Sequence, residues 1–225
     1  MKNIKEATKQ FLELKLRTCN ELGRENSEVI AIGASKTQSI QSILKAYEGG
    51  ITDFGENYLQ EAEEKISQLP SDITWHFIGS IQRKKSKKIA CLFDWVHTID
   101  RIEVAESLNN ARPKELGQLN VCVQVNLDNE ESKSGIALEE VDNFLLDIQN
   151  LDNLNVRGLM VIPRPKDNDI QRLSFKKIKN KFNKLKKIYN GMDALSMGMS
   201  ADFQEAIAEG STMIRIGTNL FGPRQ

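Results

Sequence analysis

A chain of 225 residues has room for one large domain or two small ones. Its 31 Lys and Arg balance 31 Asp and Glu, and that neutrality argues against a general nucleic-acid binder. A composition that is 40% hydrophobic and 28% charged, with 14 Gly and 5 Pro, is that of an ordinary globular protein and excludes a low-complexity or collagen-like chain.

The first 17 residues are charged throughout and lack the apolar core of a signal peptide. Within them Ile4, Ala7, Phe11 and Leu14 recur three or four apart, which predicts a helix ahead of the first strand. Eight short apolar runs follow in order, at 29–34, 52–57, 75–79, 95–100, 121–127, 156–162, 194–200 and 212–217. Polar stretches with helical period lie between them. The clearest spans 173–189, where Phe175, Ile178, Phe182, Leu185 and Tyr189 form one stripe. No apolar run approaches the roughly 20 residues that cross a bilayer. Cys19, Cys91 and Cys122 are odd in number, far apart and outside any CxxC pair, as reduced cytoplasmic thiols would be. A single cytoplasmic domain over residues 1–225 is expected, since no linker or repeat divides the chain.

Eight strands alternating with helices make an α/β protein, either an open doubly wound sheet or a closed (β/α)8 barrel. The first strand leads into IGASKTQS, not the GxGxxG of a dinucleotide-binding sheet. The count of eight and the total length favour a TIM barrel with one extra N-terminal helix. Chemistry is then expected at the C-terminal ends of the strands. Those ends carry Ser35-Lys36-Thr37, Glu56-Asn57, Gly79-Ser80, Asp100-Arg101, Asn126, Pro163, Gly198-Met199-Ser200 and Gly217-Thr218, with Arg215 just inside the last.

Lys36 is the most informative of these. A lysine drawn out of water favours its neutral amine, the form that attacks a carbonyl to make a Schiff base. A solvated lysine at a strand end is the competing reading. The last strand shifts the balance, because TIM barrels often bind phosphate after strands seven and eight. There Gly217 allows close backbone approach, Thr218 adds a hydroxyl, and Ser200 and Gly198 offer similar groups from the neighbouring strand. A Schiff-base lysine and a phosphate cup in one barrel mouth together suggest pyridoxal 5'-phosphate.

These residues sit in longer motifs: SKT (35–37), FGENY (54–58), WHFIGSIQRKK (75–85), SKSGI (132–136), GLMVIP (158–163) and LSMGMSADFQEAIAEGSTMIRIGTNLFG (195–222). Together they resemble the pyridoxal-phosphate homeostasis protein family, itself similar to the N-terminal barrel of alanine racemase. The resemblance implies that Lys36 holds the cofactor aldehyde and that Ser200, Gly217 and Thr218 bind its phosphate. It implies that Arg215 faces the pyridine nitrogen and that Asn57 lies beside the ring. A guanidinium keeps its proton and leaves that nitrogen largely unprotonated, so the ring is a weak electron sink. The sequence departs from the usual family text at Gly33-Ala34 and at Arg164, neither of them a cofactor contact.

His76 and His97 lack a third ligand in any zinc-like pattern, and barrel packing is their expected role. The basic run over 172–187 is expected to be the solvated face of a helix. The implied function is non-catalytic: a monomer that holds pyridoxal phosphate for supply, with apo-enzymes that use the cofactor as candidate partners. The alternatives are a racemase-like enzyme, which needs a second base that racemases draw from a further β-domain, and a Schiff-base aldolase acting on a sugar phosphate.

Overall fold

The computed structural model describes residues 3–128, 130, 134–164 and 167–223. Ser132 and Lys133 of the SKSGI motif lie outside the described residues. The strands are β1 (Ile30–Ala34), β2 (Asp53–Glu56), β3 (Thr74–Phe77), β4 (Trp95–Ile99), β5 (Leu119–Val125), β6 (Leu154–Val161), β7 (Ala194–Met199) and β8 (Met213–Ile216). Each pairs in parallel with the next, and β8 returns to β1, with Ile32 opposite Arg215 in that last register. The barrel is closed, as the count of eight predicts.

Helix α1 (Ile4–Glu21) precedes the barrel, and α2 (Ile40–Tyr47), α3 (Leu59–Ile66), α4 (Ser86–Leu92), α5 (Ile102–Ala111), α6 (Val141–Ile148), α7 (Asn168–Lys186), α8 (Phe203–Ala208) and α9 (Thr218–Phe221) follow successive strands. Most boundaries differ from the sequence reading by a residue or two, and a few differences have a plain cause. Strands β5 and β6 each begin two residues early, because Asn120 and Asn155 interrupt the apolar runs that mark them while Asn155 donates to Asn120 across the pair. Helix α7 begins at Asn168, well before residue 173, with the Gln171 N–H bonded to the Asp167 carbonyl. In its first turn the apolar Ile170 is exposed and the buried residue is the polar Gln171, so no apolar period marks it. Tyr189 lies beyond the end of α7 yet still packs on the core.

Side chains alternate across the strands, so the apolar residues separate into two sets. The larger fills the ring between sheet and helices and includes Phe54, Trp75, Phe77, Val121, Val123, Phe175 and Phe182. The smaller is the inside of the barrel: Ile32, Trp95, Cys122, Met160, Ala194 and Met213. The α7 stripe of Phe175, Ile178, Phe182 and Leu185 is buried against the larger set, which leaves the lysines between them on the outer surface.

Helix α1 starts at Asn3, whose side chain accepts the Glu6 N–H and satisfies one of the helix's free amides. It packs against α2, α8 and α9, with Phe11 edge-on to Phe203 at 5.4 Å between ring centroids. The Lys15 ammonium is buried and donates to the carbonyls of Asn26 and Val29, which ties α1 to the entrance of β1. Burial lowers its pKa from the ordinary lysine value.

Phe11→Ala is expected to lower stability by about 3–5 kcal/mol through the cavity it leaves. Leu16→Ala, at an exposed position of the same helix, is expected to stay within about 0.5 kcal/mol. Urea midpoints of the two variants check both values.

Candidate functional site

At the C-terminal rim lies a cavity of about 320 Å³, bordered by Lys36, Asn57, Ser200, Arg215, Gly217 and Thr218 together with apolar walls from Ala34, Ile78, Ile162, Met199 and Phe221. All six residues singled out in the sequence therefore meet in one place. Lys36 comes from the turn after β1, Asn57 follows β2, Ser200 follows β7, and the other three belong to β8 and its C-terminal edge.

The turn that carries Lys36 is held from below. Thr37 has φ +62°, an unusual conformation for a β-branched residue, typically worth about 1–3 kcal/mol of strain. Its N–H donates to Glu61 Oε2 at 2.8 Å. The buried Lys65 ammonium donates to the Ser35 carbonyl at 3.0 Å, to Glu56 Oε1 at 2.8 Å and to Glu61 Oε2 at 3.0 Å. Ser35 Oγ adds a 2.6 Å bond to Glu56 Oε1. Burial pushes the Glu56 carboxyl above its ordinary pKa against the pull of Lys65 and Ser35. Burial acts upward on Glu61 too, but the Thr37 N–H and Lys65 together bring it below its ordinary value.

This knot was only partly legible in the sequence. Glu56 stands at a strand end inside FGENY, whereas Glu61 and Lys65 read as an ordinary i,i+4 pair on a helix face. Nothing local shows that the pair is turned inward.

Across the cavity, Ser200 Oγ accepts the N–H of Gly217 at 3.2 Å and of Asn219 at 3.4 Å. A hydroxyl that accepts twice has its own proton to offer a third partner. Gly217 has φ −109°, open to any residue, and a Cβ there would meet nothing closer than 3.9 Å. The fold does not require this glycine; its bare backbone borders the cavity. Gly79 is different, since a Cβ would lie 2.2 Å from the Asn57 carbonyl oxygen. That close contact seats Asn57, whose side-chain N–H₂ reaches the Ile78 carbonyl at 3.5 Å and whose Oδ1 is buried with no hydrogen-bond partner among the described residues.

Arg215 is almost wholly buried. It donates to Ser196 Oγ at 2.6 Å and to the Val161 carbonyl at 3.0 Å, which leaves further N–H groups of its five. Burial lowers its pKa to about 10, so it is still a cation at neutral pH. Among the described residues no carboxylate lies within ion-pair distance of it. A second hollow of about 290 Å³ shares Asn57, Ile78 and Ile162 with the first and is lined further by Ser80, Thr98, Gln124, Asn126 and Ser134.

His76 and His97 do not border either hollow. They lie inside the barrel, bonded to each other at 2.9 Å. Among the described residues no cluster of metal-ligating side chains forms, and no helix is long and apolar enough to cross a membrane.

A parallel eight-stranded barrel with a lysine, an arginine and a hydroxyl-lined glycine edge at one mouth is a barrel of the alanine racemase N-terminal domain family, whose model matches residues 18–225. Within that class the chain belongs to the pyridoxal phosphate homeostasis proteins. It is 45% identical over 221 residues to the one from Haemophilus influenzae, covering 95% of this chain and 93% of the relative. To that of Escherichia coli it is 44% identical over 207 residues, covering 90% and 88%. The solved structure of PipY from Synechococcus elongatus with PLP bound superposes with a TM-score of 0.80 at 31% identity, covering 94% of this chain and 100% of that one. Alanine racemase of Clostridium difficile shares the fold, with a TM-score of 0.71 at 14% identity, and this chain covers 95% of itself and 56% of the racemase.

Lys65→Met is expected to destabilise the protein by about 3–5 kcal/mol, because Glu56 is left buried without its counter-charge. The Glu56→Met/Lys65→Met double variant should be less destabilised than Lys65→Met alone. Chemical denaturation of the three proteins measures the difference.

Proposed function

We propose that the chain holds pyridoxal 5'-phosphate in the barrel mouth and serves its supply, without turning over an amino acid. The observation that carries this reading is the convergence of Lys36, Arg215, Ser200, Gly217 and Thr218 on one cavity. The unmet Asn57 Oδ1 in its wall fits the same group, since a buried acceptor calls for a donor such as a ring hydroxyl. Family membership and the PLP-bound relative point the same way.

When bound, the cofactor supplies an aldehyde that a lysine amine can hold covalently and a ring that can accept electrons. Lys36 would hold that aldehyde, on a turn whose hydrogen bonds to Glu61 and Lys65 fix its direction. The Ser200 and Thr218 hydroxyls would take the phosphate, with the uncovered Gly217 backbone letting it come close. The remaining N–H groups of Arg215 would donate to the ring nitrogen. A guanidinium donates there without giving up its proton, so the ring stays a poor electron sink.

Racemisation needs a base on each face of the substrate carbon. Among the described residues around both hollows, Lys36 and Arg215 are the only titratable groups. Arg215 is held as a cation and is no base. This favours storage and delivery over turnover, in the cytoplasm, as a monomer that passes the cofactor to apo-enzymes.

Purified protein loaded with pyridoxal phosphate should be yellow, and borohydride should fix the adduct on Lys36, as read by peptide mapping. Lys36→Ala should bind the cofactor more weakly and without the colour. Chiral chromatography after long incubation with L-amino acids should show negligible racemisation; sustained Lys36-dependent turnover would favour the racemase instead.

Thr218→Ala should weaken cofactor affinity by about one to two decades, the loss of a bond to a charged acceptor worth about 1.5–3 kcal/mol. Ser200→Ala should cost at least as much, because Ser200 also holds the Gly217 and Asn219 amides. Pyridoxal without its phosphate should bind poorly to the unmodified protein and almost equally to both variants. Spectroscopic titration with the two ligands checks this.

A further inference from the structure

One column of polar side chains runs through the inside of the barrel. Asp53 opens β2 at the N-terminal end of the barrel, and its Oδ1 lies 3.0 Å from His76 Nε2. His76 Nδ1 lies 2.9 Å from His97 Nε2, and His97 Nδ1 lies 2.9 Å from Ser196 Oγ. Ser196 Oγ in turn accepts from Arg215 at 2.6 Å. Both imidazoles and the serine are fully buried. Trp95 stacks on His76 at 5.8 Å and Ile32, Cys122, Met160 and Met213 surround the column.

Donor and acceptor counting gives this column a direction. Arg215 can only donate, so Ser196 Oγ accepts from it. At the other end the Asp53 carboxylate can only accept, so His76 carries a proton on Nε2 and donates to it. With both rings neutral, His76 Nδ1 accepts from His97 Nε2, and His97 Nδ1 is left to accept the serine's proton. All four bonds run one way, from guanidinium to carboxylate. Burial, His76 and Arg215 hold the His97 pKa well below the ordinary imidazole value, in keeping with a neutral ring. Further charged groups near the column include Lys15, close to Asp53, Asp202, close to Arg215, and Arg157, which is paired with Asp193 and lies 4.9 Å over the Trp95 ring. Asp53 Oδ2 is occupied by the Thr52 hydroxyl at 2.9 Å.

We infer that Asp53, His76, His97 and Ser196 are positioning residues for Arg215, a one-way hydrogen-bond chain that fixes the guanidinium with its free N–H groups toward the cofactor cavity and supplies its distant counter-charge. A buried cation without a carboxylate beside it needs such compensation. A chain of aligned donors delivers it, because each bond polarises the next. The role toward the ring nitrogen rests on the cofactor reading given above; the direction of the chain does not.

Two measurements separate these claims. In the cofactor-free protein, nitrogen NMR of the two imidazoles should show both neutral and protonated on Nε2 at neutral pH. A cationic imidazole, or a proton on His97 Nδ1, overturns the chain. The second measurement compares affinity for pyridoxal phosphate and for its 1-deaza analogue, in which carbon replaces the ring nitrogen. Ser196→Ala should weaken pyridoxal phosphate about tenfold and leave the deaza analogue within about twofold. Asp53→Asn, at the far end and remote from the cavity, should weaken it about threefold with the same selectivity. Equal loss of both ligands, or loss of neither, in the folded variants overturns the positioning role. If the unmodified protein binds neither ligand, the cofactor reading itself falls, and the chain's link to it falls as well.

Discussion

A parallel strand delivers its chain to the next element only at its C-terminal end, and eight such strands closed on themselves deliver eight segments to one rim. Closure is what brings Lys36 from the first strand beside Gly217 and Thr218 from the last. The pairing of β1 with β8 does this directly, setting Ile32 opposite Arg215 and Gly33 opposite Ile216. Every residue of the site depends on that seam, although only a few of them touch it. Helix α1 crosses the segments on either side of it and is anchored to β1 through Lys15.

Closure also creates an interior that must be filled. Small parallel barrels usually fill it with branched apolar side chains. Here Ile32, Trp95, Cys122, Met160, Ala194 and Met213 do part of that work, and a guanidinium, two imidazoles and a serine sit among them. Polar groups in such a place are tolerable only when each has a partner, and each of these has one. In the Glu56–Lys65–Glu61 knot under the Lys36 turn, Glu56 Oε1 takes two donors while Glu56 Oε2 has none among the described residues. The first arrangement runs back from Arg215 and the second lies under the Lys36 turn, so each supports a residue that borders the cavity.

What could be read from the sequence follows the range over which each signal acts. Local apolar runs carry strand count and order, which makes the closed barrel legible; the six cavity residues stand at its strand ends, and the family motifs single them out there. The knot is legible only in Glu56, because the burial of Lys65 depends on where α3 lands against β2, and a lysine four residues after a glutamate reads as a solvated pair anywhere. His76 and His97 were assigned to barrel packing, which is where they lie, but their bond to each other crosses two strands and has no signature in spacing. The early start of α7 has no apolar period to mark it, because there the apolar Ile170 faces out and the polar Gln171 faces in.

The Lys36 turn has a further consequence for how a ligand would arrive. Its bonds to Glu61 and Lys65 are internal to the protein, so the conformational entropy of ordering that backbone is lost on folding and not on association. Prior ordering of this kind strengthens binding by removing a cost, and it needs no added contact with the ligand. Under the proposed function, a carrier built this way would hold its cargo through one reversible covalent bond and a phosphate grip. Letting go would then require chemistry at a single amine, while the barrel around it kept its shape.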